Sequence, residues 1–299
     1  MMKRGIMISI LGILVLWACE DVIEVDLPKQ ETRLVVDGLL RVDVSQEFVD
    51  VQIRMRETSN FFDDNQPTQV ESALIVYGLP NELGEIDSLS FSSLAESTPG
   101  SGIYIPDPNF SSDQRIRTSA IEPNVIFFLQ ITYDERNYFA RTEYAPTVPI
   151  NRLTQGENTL FDEDETEIIV SFSDVPNENN YYIFDFGFGE FLALDDQFID
   201  GQDFEFSYFF DSNLQPGQEL TVSILGATQE FYNYMDLLVE QTQDDGGVFE
   251  TPVSTVRGNV FDVTDLDNID IFDNVGQPEL FALGYFAVVQ EFAETLVIE

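Results

Sequence analysis

The sequence predicts an all-β protein: an N-terminal immunoglobulin-like β-sandwich followed by a second antiparallel β domain that carries one amphipathic helix. Three observations predict it. Apolar and polar residues alternate with period two through much of the chain, as half-buried strands require. Turn-forming clusters such as "DDNQP", "LPNELGE", "STPGSG" and "IPDPN" punctuate the runs at short intervals. Strand-favouring aromatics are abundant, with 26 Phe and 11 Tyr in 299 residues.

The first segment to justify is the one ahead of any strand. Lys3 and Arg4 precede an apolar run, Ile6 to Trp17, which is too short for the roughly 20 residues that a spanning helix needs. It ends in Leu16-Trp17-Ala18-Cys19. A basic start, an apolar stretch and a small residue form the order of a secretory leader, and the junction resembles the bacterial lipobox. Residues 1–18 are expected to be a lipoprotein signal peptide and Cys19 the lipid attachment point. One acyl chain holds a protein only marginally at a membrane, and several on one residue hold it stably. Cys19 is the only cysteine, so no intrachain disulfide is possible. Glu20 and Asp21 open an acidic tether, residues 19–32, and act in this reading as an export signal.

The sandwich is expected over 33–149. In "FVDVQIRMRE", Val49, Val51, Ile53 and Met55 point one way, and Asp50, Gln52, Arg54 and Arg56 the other. "ESALIVYG" and "VIFFLQITYD" are apolar on both faces, as central strands are. Asp134 to Asn137 joins two short runs as a hairpin. "APTVPINRL" then places a boundary near Pro149.

The second domain is expected over 150–299. Ile168, Val170 and Phe172 share one strand face, and "NNYYIFDFGFGEF" and "DFEFSYFFD" are aromatic strands. Phe231, Met235, Leu238 and Thr242 recur at helical spacing, predicting a helix over about 228–243 with Thr228 as N-cap and Gly246-Gly247 as the stop. "STVRGNVFDV" and "LFALGYFAVVQEFAETLVI" close the chain as extended segments.

Composition narrows function. Thirteen basic residues against 55 acidic ones give a net charge of −42, which repels nucleic acid and anionic lipid headgroups. Histidine is absent, removing the commonest general base and metal ligand. An enzyme would have to work with carboxylates, Tyr, Lys or Ser. No catalytic residue and no cofactor are assigned beyond the covalent lipid on Cys19.

Two acidic stretches offer oxygen ligands for Ca²⁺. "FDEDETE", Phe161 to Glu167, lacks EF-hand spacing and reads as a solvated loop before a strand. "DLDNIDIFD" supplies Asp265, Asp267, Asp270 and Asp273, also without that spacing, as a looser candidate. On the strand from Tyr181, one parity gives Tyr182, Phe184, Phe186 and Phe188: a face that fills a core or, if no second layer covers it, meets a partner.

Three stretches together are similar to a family. "CEDVIEVDLP…RLVVDGLL", "EFYNYMDLLVEQ" with "GGVFETPVSTVRGNV", and "LGYFAV" resemble Bacteroidetes outer-membrane lipoproteins grouped as domain of unknown function 4249. The resemblance implies an outer-membrane protein held by its lipid, facing the cell surface, with the periplasmic face as the competing location. It also implies a TonB-dependent transporter as partner in nutrient capture or uptake, with no catalytic residues carried over. The competing functions are a carboxylate-dependent surface glycoside hydrolase and a stand-alone adhesin or structural lipoprotein. The small-molecule or glycan ligand is not specified by these residues.

Overall fold

A computed structural model describes residues 32–58, 66–81, 86, 89–160, 165–210, 214–243, 255–266 and 281–299. The predicted leader, Cys19, Glu20, Asp21, Gly246-Gly247, Asp267, Asp270 and Asp273 lie outside these residues. The described strands of the N-terminal part are β1 (Leu34–Val42), β2 (Ile53–Glu57), β3 (Gln66–Pro67), β4 (Ser72–Gly78), β5 (Ser90–Glu96), β6 (Ile103–Pro106), β7 (Ile126–Tyr133) and β8 (Arg136–Ala145). Alternation explains them. On β1, Leu34, Val36, Leu40 and Val42 are buried while Asp37, Leu39 and Arg41 face outward. The same parity holds from Val49 through Met55, although the ladder begins only at Ile53. The hairpin expected across Asp134 to Asn137 forms with a tighter turn: Asp134 and Glu135 alone take positive φ, 50° and 60°, while Arg136 and Asn137 already pair with Tyr133 and Thr132.

The remaining strands are β9 (Ile150–Gln155), β10 (Thr166–Ser173), β11 (Tyr181–Asp185), β12 (Phe191–Asp195), β13 (Asp203–Phe210), β14 (Glu219–Ala227), β15 (Val260–Asp262) and β16 (Leu283–Val297), with helix α1 (Gln229–Gln243) before β15. An immunoglobulin-like sandwich over 33–149 would leave two open sheets. The ladder instead closes as an eight-stranded barrel, β16-β1-β2-β6-β5-β4-β7-β8, with β8 returning to β16. The reason is β16. It lies parallel to β1, Val35 opposite Leu283 through Val42 opposite Gln290, so the last strand completes the body that the first strand begins. Closure removes the sheet edges that an open sandwich must protect.

From Glu291 onward β16 pairs antiparallel with β14, and β14 continues to β11 and β12. One face of that sheet packs on the three-stranded sheet β13-β10-β9. Ile168, Val170 and Phe172 meet Tyr182, Phe184 and Phe186 there, with Phe186 stacked on Tyr208 at 3.9 Å between ring centroids. The other face is covered by α1, whose Phe231 and Met235 bury Ile183 and Leu225. This is the second layer that lets β11 be apolar on both sides. Thr228 caps the helix, its Oγ1 accepting the Phe231 N–H at 3.2 Å. Among the described residues no helix is long and apolar enough to cross a membrane.

Candidate functional site

The outward residues of β1, β11, β14 and β16 build a cleft where barrel and sandwich share β16. Three parities run out from under α1 and become more polar. Ile183 gives way to Asp185, Leu225 to Ser223 and Thr221, and Val289 to Glu291. The face is apolar where the helix covers it and polar where it does not. Arg41, outward on β1, reaches across. Its Nη2 donates to Asp185 Oδ2 and its Nη1 to Glu291 Oε1 at 3.3 Å. Burial alone would lower the Arg41 pKa, yet the hydrogen bond and charge of Asp185, reinforced by Glu291, hold it above its ordinary value. The guanidinium is a fixed charge in the floor.

The cleft has two lobes that share Arg41, Asp43 and Glu291. The first, about 590 Å³, continues over Ser45, Thr221 and Ser223. The second, about 500 Å³, runs between the outer faces of two barrel segments, Asp37 and Leu39 opposite Asp50, Gln52 and Arg54. Both volumes fall in the range of small-molecule sites. Arg54 pairs with Asp37 at 3.5 Å in an exposed contact. Phe48 and Phe191 supply half-exposed rings. Asp50, Gln52 and Arg54 were legible as the polar parity of a strand; that they form a cleft wall was not.

Of the predicted interface face, Tyr182, Phe184 and Phe186 are fully enclosed in the sandwich core. Phe188 alone emerges, 69% exposed at the β11–β12 hairpin, with φ of 56° between Gly187 and Gly189, which are also left-handed. Gly187 lines the first lobe, so Phe188 stands one residue beyond its rim. Asp265 is exposed beyond β15. Of the acidic run before β10, residues 161–164 lie outside the described residues. Glu167 is buried: it accepts from Ser207 Oγ at 2.6 Å and from the Asn158 N–H and side-chain amide, both at 2.9 Å. The Ser207 hydroxyl first, then the Asn158 N–H, hold its carboxyl below the usual range.

A second carboxylate group was invisible in the sequence because two loops contribute to it. Asp174, Asp196 and Asp200 each bring an oxygen within 4.8 Å of the others. Asp174 accepts from the Tyr182 hydroxyl and from the Gly201 N–H at 2.7 Å. Asp196 accepts from the Asn180 N–H and Asp200 from the Asn177 N–H. Burial, and then the Asp174 bond, push the Tyr182 phenol far up. These bonds staple the loops together. A hard cation takes six to eight oxygens, and the cluster brings three carboxylates that already accept these donors.

Described residues of two of the stretches that carry the family likeness, Arg33 to Leu40 and Thr255 to Val260, meet the third, Leu283 to Val288, elsewhere, along β16. The guanidinium groups of Arg33 and Arg257 lie 3.8 and 3.7 Å from the centroid of the Phe281 ring. Asn259 brackets Phe286, accepting its N–H and donating to its carbonyl, each at 2.8 Å. A Cβ at Gly258 would meet the Gly284 carbonyl oxygen at 1.6 Å, so the backbones touch. A protein-family model, Domain of unknown function (DUF4249), matches residues 20–293. None of the curated proteins matches the chain.

Proposed function

The chain belongs to the DUF4249 family, and we propose that it is a non-catalytic, lipid-anchored lipoprotein of the outer-membrane surface that assists a TonB-dependent transporter in capturing or admitting a nutrient. The observation that supports this reading is the sequence junction Leu16-Trp17-Ala18-Cys19, which resembles a lipobox and is followed directly by Glu20 and Asp21. The likeness to Bacteroidetes outer-membrane lipoproteins supplies the compartment and the partner. In this mechanism the acyl chains confine the folded body to the membrane plane, so that a weak direct interface with the transporter is well occupied through effective concentration. Chemistry is left to the transporter. Asp185 and Glu291, two carboxylates of the cleft, both pair with Arg41.

The test is purification of the tagged full-length protein from membranes in mild detergent. The expected result is a TonB-dependent transporter in the eluate, a diacylglyceryl adduct on Cys19 by intact-mass measurement, and loss of both in Cys19→Ala. A bare Cys19 thiol or a retained leader overturns the anchor; repeated purification without any transporter overturns the partnership.

A further inference from the structure

We propose that the outer end of the β1–β16 seam binds the phosphate of a membrane lipid headgroup, with Arg33, Arg56 and Arg257 as its cationic contacts. The lipid as the source of the phosphate rests on the anchored reading above; the phosphate chemistry does not.

Charge is the first argument. The chain carries 55 acidic residues against 13 basic ones. Apart from Arg56, every described arginine has a carboxylate or an aromatic ring beside its guanidinium. Among the described residues Arg56 has neither, and its Nε–H is buried without an acceptor. A buried donor calls for a partner, and the guanidinium fork matches two oxygens of a phosphate side by side.

Placement is the second argument. Arg56 stands opposite Val35 on β1. Arg33 is held to Thr58, donating its N–H to Oγ1 and accepting the Thr58 N–H, both at 2.9 Å. That register sets Arg33 and Arg56 diagonally on the outer face of β1 and β2. On the other side of β1 the Phe281 ring holds the guanidinium groups of Arg33 and Arg257 at 3.8 and 3.7 Å from its centroid. A guanidinium stacked on a ring donates from its edge, so stacking and phosphate contact are compatible. Val35, opposite both Arg56 and Leu283, offers with Leu283 half-buried apolar surface to a glycerol ester. No carboxylate stands among these residues, and Asp37, the next outward residue of β1, is paired with Arg54.

The source follows from chain connectivity. The described residues begin at Thr32, next to Arg33, and the residues before it lead from Cys19. A lipid on Cys19 therefore joins the body to the membrane through this end of β1. A chain of net charge −42 is repelled by an anionic surface, and a patch of guanidinium groups without a carboxylate is where it can approach.

The experiment is isothermal titration of the full-length chain in mild detergent with dihexanoyl phosphatidic acid, against a detergent blank. The ionic strength is about 0.15 M, where attraction beyond roughly 8 Å is screened. Inorganic phosphate and dihexanoyl phosphatidylcholine are titrated alongside. Saturable one-to-one binding of phosphatidic acid is expected, with both comparison ligands at least about tenfold weaker, the first lacking the ester and the second carrying its own cation. Arg56→Gln is expected to weaken binding about tenfold through one lost charge-assisted contact, and Arg56→Lys to recover only part, since an ammonium lacks the fork. Arg257→Gln, on an exposed segment outside the strands, is expected to lose a similar factor without touching a ladder. Arg152→Gln, the same charge change at an exposed residue of β9, is expected to stay within about twofold of wild type. Equal loss in Arg56→Gln and Arg152→Gln, or no saturable binding, would overturn the site. Inorganic phosphate binding as tightly as phosphatidic acid would overturn the lipid as its source. The intact mass of Cys19 reports the anchor separately. A bare thiol beside Arg56-dependent binding would overturn the membrane as the source, and a lipidated Cys19 without that binding would overturn the site alone.

Discussion

Replacing Gly284 with alanine tests the closure on which the architecture rests. Gly284 stands opposite Val36 near the start of the parallel β1–β16 ladder, with φ of +89°. A Cβ there would lie 1.9 Å from the Val36 carbonyl oxygen, 2.7 Å from its carbon and 2.9 Å from its nitrogen. The left-handed backbone costs a non-glycine residue about 1–2 kcal/mol. The contact is with backbone, which cannot rotate away, so β1 must shift. Loosening about two ladder hydrogen bonds, at roughly 1 kcal/mol net each, adds about 2 kcal/mol. The expected loss is therefore about 3–4 kcal/mol, read as a lowered urea midpoint by far-UV circular dichroism and a melting temperature lower by roughly 10 °C. Gly100→Ala is the internal control. It has φ of +83° but nothing within 4 Å of a Cβ, so it carries the dihedral cost without the collision. If Gly284→Ala loses no more stability than Gly100→Ala, the first and last strands do not pack as described and the barrel argument fails.

Thr228→Ala should cost about 1 kcal/mol by removing the helix cap, with Thr228→Ser close to wild type, both read from urea midpoints. Glu167 has a folded pKa below its ordinary 4.5, so its contribution is fully present above that value and is lost as pH falls through the folded pKa. Stability measured from pH 7 to pH 3 should fall less steeply below pH 4.5 in Glu167→Gln than in wild type, and equal slopes would contradict the Ser207 and Asn158 bonds. Arg41→Met should cost about 2 kcal/mol, between an exposed pair and a fully buried one, because two facing carboxylates lose their shared cation. Adding Asp185→Leu to Arg41→Met should recover part of that loss in a double-mutant cycle, and strict additivity would deny the contact.

Local order was legible in the residues and long-range order was not. The parity of Val49, Val51, Ile53 and Met55, the helix capped by Thr228 and the hairpin at Asp134-Glu135 each depend on neighbours a few positions away. Period two reports which face of a strand is buried and carries no information about the strand beside it. The parallel pairing of β1 with β16 joins opposite ends of the described chain, so alternation alone allowed an open sandwich where a barrel forms. The same limit hid the cleft. Arg41, Asp185 and Glu291 are ordinary outward residues on three strands, and only the ladders bring them together. In the strand from Tyr181, both parities are apolar up to Phe184, and the sequence left open which layer each would meet. The structure assigns the aromatics to the sandwich and Ile183 to the helix.

The described residues of the family-like stretches do structural work at the seam. Arg33, Gly38, Gly258, Asn259, Gly284 and Phe286 meet at the seam, where small residues permit backbone contact and Asn259 ties two segments together. Substitution there acts on closure, at a cost of several kcal/mol by the reasoning given for Gly284. Arg41, Asp43, Asp185 and Glu291 lie outside those stretches, on outward positions where a changed side chain leaves the ladders intact. A chain can therefore keep every seam residue while its cleft takes a different charge or shape. Substitutions at positions 43, 50, 185 and 291 are therefore expected to change the charge of the cleft while the β1–β16 seam stays closed, a separation that far-UV circular dichroism of such variants checks.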